Sequence, residues 1–176
     1  MKLVKKNKVT LEQELQYADN LSSEIRKKII ADVLSFVDTD VLFFRAEYPD
    51  NLVKRQNEKW NPVLEWFEKE YGVKPKITSQ ITPPKQDKKL AKAIGDEVGK
   101  MSGRELIAFS KTSGGFTSLI LALAVMKKHI SVDDAFALSR LDELFQNEMW
   151  GEDKEALNSR KLALDEVKNA MRLING

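Results

Sequence analysis

Apolar residues recur every three or four positions along most of the chain, a spacing typical of amphipathic helices. Thr10 and Gln13 have the spacing of a capping box, which predicts a first helix directly after Thr10. Ser131 and Asp134 predict another helix start, with an apolar face that continues to Phe145. The same periodicity predicts helices over residues 23–36, 52–71, 90–98, 102–111, 116–128 and 154–174.

Residues 116–128 are apolar on nearly every face, so this helix is expected inside a bundle. The pattern as a whole predicts a mainly α, multihelical fold with at most a short β element. We expect two parts: residues 1–22, an N-terminal segment with the first helix, and residues 23–176, a multihelical domain.

Several short stretches interrupt the helical pattern. Residues 41–44 form an apolar run that fits either a strand or a buried extended segment, and residues 74–81 alternate loosely like an edge strand. Pro62 falls inside the segment 52–71, which predicts a new helix start with Asn61 as N-cap. Gly114 and Gly115 are expected to separate the segment 102–111 from the segment 116–128.

Composition narrows the function classes. The 176 residues are 42% hydrophobic and 32% charged, which is enough for one medium-sized core, and the formal net charge of +2 favours no nucleic-acid partner. The absence of cysteine excludes disulfides, zinc–thiolate sites and thiol nucleophiles, and fits a reducing compartment. The basic start, residues 1–8, lacks the apolar stretch of a signal peptide, and the longest apolar run is too short for membrane insertion.

Three features could carry chemistry, but a structural role explains each of them better. His129 is the only histidine and has no companion ligands, so we interpret it as the end of a helix. Residues 111–115 lack the glycine spacing of a phosphate loop, and small residues there allow close helix packing. The basic stretch 85–104 contains no aromatic residue, which favours a solvated helix face. We therefore expect no catalytic residue, no metal ligand and no cofactor.

An acidic cluster near the C-terminal end is the sharpest local signal. Between residues 133 and 153 only Arg140 is basic, and several carboxylates there are not explained by a helix N-terminus: Asp142, Glu143, Glu152 and Asp153. They fit a solvated face, a carboxylate or divalent-cation site, or an acidic docking surface that attracts a basic partner. Trp150 stands where the predicted helix stops, and it either caps the core or anchors a partner. We select Glu143, Trp150 and Glu152 as candidate partner-binding residues.

Four segments, in the same order, resemble motifs of one protein family. The segments are DTDVLFFRA at 38–46, RQ and WNPVLEW within 55–66, SGGFTSLILALA at 113–124, and AFALSRLDE with WGED within 135–153. Their shared order makes the resemblance specific: over residues 38–174 the chain resembles the ATP synthase α-subunit assembly chaperones.

The resemblance implies a non-enzymatic chaperone that binds the free α subunit of the ATP synthase catalytic head and shields its subunit interface until the hexamer assembles. It ties function to the acidic position after Ser-Arg-Leu, and so adds Asp142 to the candidate partner-binding residues. It also implies a location in the bacterial cytoplasm or, in a eukaryote, the mitochondrial matrix. The family's β-rich N-terminal domain is expected to be absent here. The alternative is a helical nucleic-acid-binding or regulatory interaction module that uses residues 85–104.

Overall fold

The structure is a computed structural model that describes residues 9–175, and in this range it consists of helices and the segments that join them. The α-helices are α1 (Leu11–Asp19), α2 (Ser23–Leu34), α3 (Asp50–Tyr71), α4 (Lys88–Gly99), α5 (Gly103–Phe116), α6 (Leu119–Met126), α7 (Val132–Ser139), α8 (Leu141–Trp150) and α9 (Lys154–Asn175). The prediction of a mainly α fold is confirmed. The basic start, residues 1–8, lies outside the described residues.

Side-chain caps begin several helices where the sequence places them. Thr10 and Gln13 form the predicted capping box of α1, and the Ser131 hydroxyl accepts a hydrogen bond from the backbone N–H of Asp134 at the start of α7. Ser102 and Glu105 form a further capping box at the start of α5. These caps satisfy N–H groups that have no partner within the helix.

α1 packs on α5 and α9. Gly103, at the start of α5, lies so close to the carbonyl of Ala18 that a Cβ atom would overlap the carbonyl oxygen. Asp19 binds Arg104 at 2.6 Å, which ties the end of α1 to the same turn of α5. The division between residues 22 and 23 stays a prediction.

α3 continues through Pro62, so the predicted new start at Asn61 is wrong. A proline inside a helix removes one N–H donor, but the face of α3 that carries Trp60, Val63 and Phe67 is buried and holds the segment helical. Pro62 itself is exposed, so the carbonyl that loses its partner one turn earlier can bind water.

α5 also runs further than predicted and ends at Phe116, so Gly114 and Gly115 lie inside a helix and do not separate two. Gly115 lies against Val167 of α9, and a Cβ at this position would overlap the Val167 Cγ2. Close approach of α5 and α9 therefore explains this glycine, as the structural interpretation of residues 111–115 predicted.

The predicted helix that starts at Ser131 is two helices, because the chain bends at Arg140 between α7 and α8. The bend leaves the Leu138 carbonyl outside a regular helical ladder, and the indole N–H of Trp60 donates to it at 2.9 Å. A tertiary hydrogen bond thus takes the place of one helical bond, and α8 extends beside α3.

The apolar run after Asp40 is neither a strand nor a fully extended segment. Val41–Phe43 is one turn of 3-10 helix, and Asp40 caps it by accepting from the backbone N–H of Leu42. Phe44 then forms a single parallel bridge with Thr78. This bridge is the β structure of the described residues, so the predicted edge strand over residues 74–81 is reduced to one residue.

The core surrounds α6, whose residues Leu119–Val125 are all buried. α3, α5 and α7 pack around it, which confirms the prediction that this helix lies inside a bundle. The largest fully buried aromatic side chains are Trp60, Phe43, Phe67, Phe109 and Phe116. Among the helices within residues 9–175, none combines the length and the apolar character that a membrane span requires.

Candidate partner-binding site

The four candidate partner-binding residues lie on α8 or directly after it. Asp142 and Glu143 occupy the first turn of α8, Trp150 is its last residue, and Glu152 follows in the connection to α9. The rise of an α-helix places Asp142 and Trp150 about 12 Å apart along the axis. The four candidate residues thus lie along one helix and the turn that follows it, with carboxylates at both ends.

Asp142 does not project freely into solvent. Its Oδ1 accepts a hydrogen bond from the Gln56 side-chain amide at 2.7 Å, and Gln56 is 1% exposed. Burial lowers the pKa of Arg45, and the charge of the nearby Asp142 raises it by less. Arg45 also stacks over the Trp60 ring, 5.2 Å from its centroid. Asp142 therefore belongs to a polar contact between α3, α8 and the segment before α3.

Glu143 and Glu152 share one cation. Arg160 of α9 lies 3.5 Å from Glu143 and also binds Glu152, and its side chain is only 10% exposed. Arg140 is a second cation near Glu143, at 3.9 Å. Since these carboxylates are matched by guanidinium groups of the same chain, the acidic cluster presents much less net negative charge than the sequence indicates.

Glu148 completes the pattern on the side that faces α3. It binds Arg55 at 2.8 Å, and this hydrogen bond lowers the pKa of Glu148 and raises the pKa of Arg55. The Arg55 guanidinium also lies 5.1 Å from the centroid of the Phe145 ring. Arg55, Gln56, Arg45 and Arg160 are thus the partners that sequence reasoning missed, although the RQ motif at residues 55–56 marked two of them.

Trp150 is 87% exposed, so the interpretation that it caps the core is wrong. Successive helical residues turn by about 100°, which puts Trp150 about 140° around α8 from the buried Phe145. Met149 beside it is 57% exposed. The chain then turns at Gly151, whose φ of +89° favours glycine, and leads into α9. Trp150 is thereby displayed at a helix end, as the anchor interpretation requires.

The other candidates have structural contacts. His129 follows α6 and its ring stacks on Trp66 at a centroid distance of 4.8 Å. Lys111 binds Glu14 at 2.8 Å, and the hydroxyl of Ser113 donates to the carbonyl of Ser110 within α5. Residues 111–115 therefore lie inside a helix, where backbone N–H groups bond to carbonyls of the same helix. A phosphate loop needs free backbone N–H groups, so these residues do not form one.

The basic stretch 85–104 is partly neutralised. Lys92 binds Asp96 at 2.5 Å, Lys100 lies 3.9 Å from Glu97, and Arg104 binds Asp19. Ion pairs of this kind reduce the positive charge available to a nucleic acid. Over residues 9–175, no three histidine, aspartate or glutamate side chains converge as metal ligands would.

A further carboxylate, that of Asp40, is buried. It is 2% exposed, and its Oδ2 accepts from the Ser118 hydroxyl at 2.8 Å and from the Ile120 backbone N–H at 3.0 Å. Burial raises the pKa of Asp40 to about 6, and the hydrogen bonds oppose this rise. A cavity of about 440 Å³ adjoins it, lined in part by Phe36 and Asp32 of the α2 region. The DTD motif thus serves the start of α6 and not the α8 surface.

Comparison with known proteins places this arrangement in a family. Residues 1–68 match the family model described as ATP12 chaperone protein. The solved structure of Atp12 from Paracoccus denitrificans is 31% identical, covers 92% of this chain and 69% of its own, and superposes with a TM-score of 0.85. A solved protein from Agrobacterium tumefaciens is 29% identical, with 93% of this chain and 61% of its own covered, also at a TM-score of 0.85.

A further relative is the mitochondrial protein atp12 of Schizosaccharomyces pombe, 24% identical over 154 residues, or 84% of this chain. The chain spans about half the length of this relative, 52%. The likeness to the Paracoccus structure is in both sequence and fold, over nearly the whole chain and more than two thirds of its counterpart. The chain therefore belongs to the Atp12 family of chaperones.

Proposed function

We propose that this chain binds the free α subunit of the ATP synthase catalytic head and shields the surface that later meets the β subunit. The observation that carries the proposal is Trp150, an 87% exposed tryptophan at the end of α8, within the WGED motif. A folded chain that leaves a tryptophan and the neighbouring methionine in solvent has a surface suited to an apolar partner.

The free α subunit is a partner of this chemistry. A subunit that forms permanent interfaces exposes large apolar surfaces before assembly, and these surfaces aggregate unless they are covered. A chaperone for it needs affinity that hides the patch and yields to the native subunit. Binding alone accomplishes this, so we propose that the chain acts as a binding protein and not as an enzyme. Its place of action is the bacterial cytoplasm or the mitochondrial matrix, according to its source.

In this proposal Trp150 contacts the client, and the three carboxylates act by holding α8 in place. Glu143 and Glu152 join α8 to α9 through Arg160, and Asp142 joins α8 to α3 through Gln56. Because each carboxylate is engaged within the chain, attraction of a basic partner contributes less than the geometry of the displayed tryptophan.

Co-expression tests the proposal. The chain is expressed with the α subunit or with the β subunit of its own organism, and the soluble fraction is measured for each. We expect selective rescue of α. Rescue of neither subunit, or of both equally, contradicts a chaperone that is specific for α.

A pair of matched variants tests the surface. Trp150→Ala is expected to weaken α-subunit binding by about tenfold or more, because aromatic anchors carry much of an interface's energy. The control is Ile81→Ala, since Ile81 is 98% exposed but lies outside α8, and it is expected to bind within about twofold of wild type. Equal effects of the two substitutions would remove Trp150 from the interface.

A further inference from the structure

A chain of hydrogen bonds links α8, through α3, to the segment that precedes α3. The Gln56 side-chain nitrogen donates to Asp142 Oδ1 at 2.7 Å, and the Gln56 side-chain oxygen accepts from the Ala46 backbone N–H at 2.8 Å. An ionised carboxylate can only accept, so Asp142 fixes which end of the Gln56 amide faces it. The opposite end, the oxygen, is thereby directed at Ala46.

The segment held in this way, residues 46–49, leads from the buried 3-10 turn to α3. Its start is fixed by the Arg45 backbone N–H, which donates to the Thr78 carbonyl at 2.8 Å. Beyond Ala46 the chain is exposed, and Tyr48 is 80% exposed. The hydroxyl of Ser79 donates to Glu47 at 2.9 Å, a contact at the surface. Ala46 is thus the last point at which a buried side chain, Gln56, holds the backbone before the exposed tyrosine.

The environment of Asp142 does not suit a steering charge. The positive Arg45 is near enough for the charge of Asp142 to raise its pKa, and the Asp142 carboxylate accepts a hydrogen bond from an amide that is itself buried. A charge compensated in this way exerts a weak field in solvent, where salt screens it further. The hydrogen-bonding capacity of Asp142 is therefore a better basis for a role than its charge.

We propose that Asp142 is a positioning residue for client binding: through Gln56 it fixes the backbone at Ala46, and the fixed segment presents Tyr48 to the apolar interface surface of the α subunit. This proposal rests on the proposed function. A tyrosine held by a rigid backbone gives contact area at a small cost in conformational entropy, since fewer rotations are lost on binding.

The first experiment separates hydrogen bonding from charge and needs no client. Amide hydrogen exchange at Ala46 is measured by NMR in the wild-type chain, in Asp142→Asn and in Asp142→Leu. The asparagine oxygen still accepts from Gln56, so exchange at Ala46 is expected to stay close to wild type. Leucine offers no acceptor, and exchange is expected to accelerate by about tenfold or more. Unchanged exchange at Ala46 in Asp142→Leu would overturn the positioning role.

The second experiment measures α-subunit binding for the same variants, for Tyr48→Ala and for the double variant Asp142→Leu/Tyr48→Ala. We expect Asp142→Asn to bind like wild type, and each of Asp142→Leu and Tyr48→Ala to lose about tenfold. The double variant is expected to lose little more than either single one, since both changes remove the same contact. Helical circular dichroism confirms that each variant is folded, and the exposed position of Tyr48 keeps this arm free of folding effects.

Two outcomes of the binding experiment would contradict the positioning role of Asp142. Equal losses in Asp142→Asn and Asp142→Leu would show that charge is what matters, and fully additive losses in the double variant would show independent roles. Either result overturns the proposal. If the wild-type chain does not bind α at all, the proposed function fails and the client half of this proposal fails with it, whereas the Ala46 measurement on the chain alone still decides the positioning half.

Discussion

The inner helices α5, α6 and α9 are held together differently from the outer pair α3 and α8. Inside, Gly115 allows α5 to contact Val167 of α9. The buried carboxylate of Asp40 accepts a hydrogen bond from the backbone N–H of Ile120, at the N-terminus of α6. Outside, α3 and α8 meet through the buried Gln56 with Asp142 and through Arg55 with Glu148, and the side chains of this second pair are substantially exposed.

This difference indicates that one set of contacts provides the stability of the fold and another is available for recognition of a partner. Disruption of a close apolar contact or of a hydrogen-bonded buried group lowers the free energy of unfolding by about 2–5 kcal/mol. Disruption of an exposed ion pair lowers it by about 1 kcal/mol or less. We therefore expect the buried contacts, among them the face of α3 that packs on α6, to carry most of the free energy of folding. The exposed contacts between α3 and α8, next to Tyr48 and Trp150, can then change with a small cost to the fold, which suits a surface that binds a client.

The largest effect is expected at Asp40. Asp40→Ala leaves the backbone N–H groups of Leu42 and Ile120 and the hydroxyl of Ser118 without this acceptor in the interior. Unsatisfied buried donors of this kind should lower the free energy of unfolding by about 3–5 kcal/mol, measured by urea denaturation.

Asp32→Ala is the control for this substitution, because Asp32 lines the same cavity but is exposed. Its effect is expected to stay within about 0.5 kcal/mol. Similar losses for Asp40→Ala and Asp32→Ala would mean that the cavity wall, and not the buried carboxylate, holds the start of α6.

The pH dependence of stability provides the next test. The folded pKa of Asp40, about 6, lies above the ordinary aspartate value of 3.8, so the folded state binds more protons between these values. The contribution of Asp40 is therefore complete below about pH 4 and is lost as pH rises through 6. A shift of this size corresponds to about 3 kcal/mol in the free energy of unfolding.

Asp40→Asn isolates this contribution, because asparagine does not titrate. Urea denaturation of both proteins from pH 4 to pH 7 should show a decline in wild type that is steeper than in the variant. Parallel curves would mean that the hydrogen bonds from Leu42, Ser118 and Ile120 offset the effect of burial on Asp40.

A smaller effect is expected at the contact between α5 and α9. Gly115→Ala places a methyl group against Val167, and overpacking of this kind costs about 1–3 kcal/mol in the free energy of unfolding. Gly114→Ala is the matched control, since a Cβ there meets no heavy atom within 4 Å in the described chain. Alanine favours the helix over glycine, so Gly114→Ala should be neutral or stabilising by up to about 1 kcal/mol.

The double variant Gly115→Ala/Val167→Ala tests the cause of that loss. Removal of the valine methyl groups makes room for the new side chain, so the two substitutions should cost less together than the sum of their separate effects. Simple additivity in urea denaturation would mean that Gly115 is needed for some reason other than close approach to α9.

Local features of the fold were predictable from sequence, and features that depend on a distant partner were not. The caps at Thr10 and Ser131 use residues three positions apart, so their pattern is visible in the chain itself. Pro62 was misinterpreted because burial of the opposite face of α3 outweighs the lost hydrogen bond. Gly115 was misinterpreted because its reason is Val167, on another helix.

The candidate site shows the same limit. The sequence indicated that Trp150 ends a helix, and the motifs of residues 38–153 indicated the family, but neither showed which way the side chains point. The direction of Asp142 depends on the register between α8 and α3, and the neutralisation of Glu143 depends on Arg160 of α9. Charges that look free in a one-dimensional cluster can each find a partner once the helices pack.

The smallest effect is expected at the Arg55–Glu148 pair between the outer helices. A double-mutant cycle with Arg55→Ala and Glu148→Ala should give a coupling smaller than any loss above, because both side chains are substantially exposed. The coupling should shrink in 1 M salt, where screening acts over about 3 Å. Arg55 also covers Phe145, so Arg55→Ala should cost more than Glu148→Ala. A coupling as large as the loss in Gly115→Ala that also resists salt would make this ion pair a main support of the fold, and the exposed α3–α8 contacts would then serve stability as well as recognition.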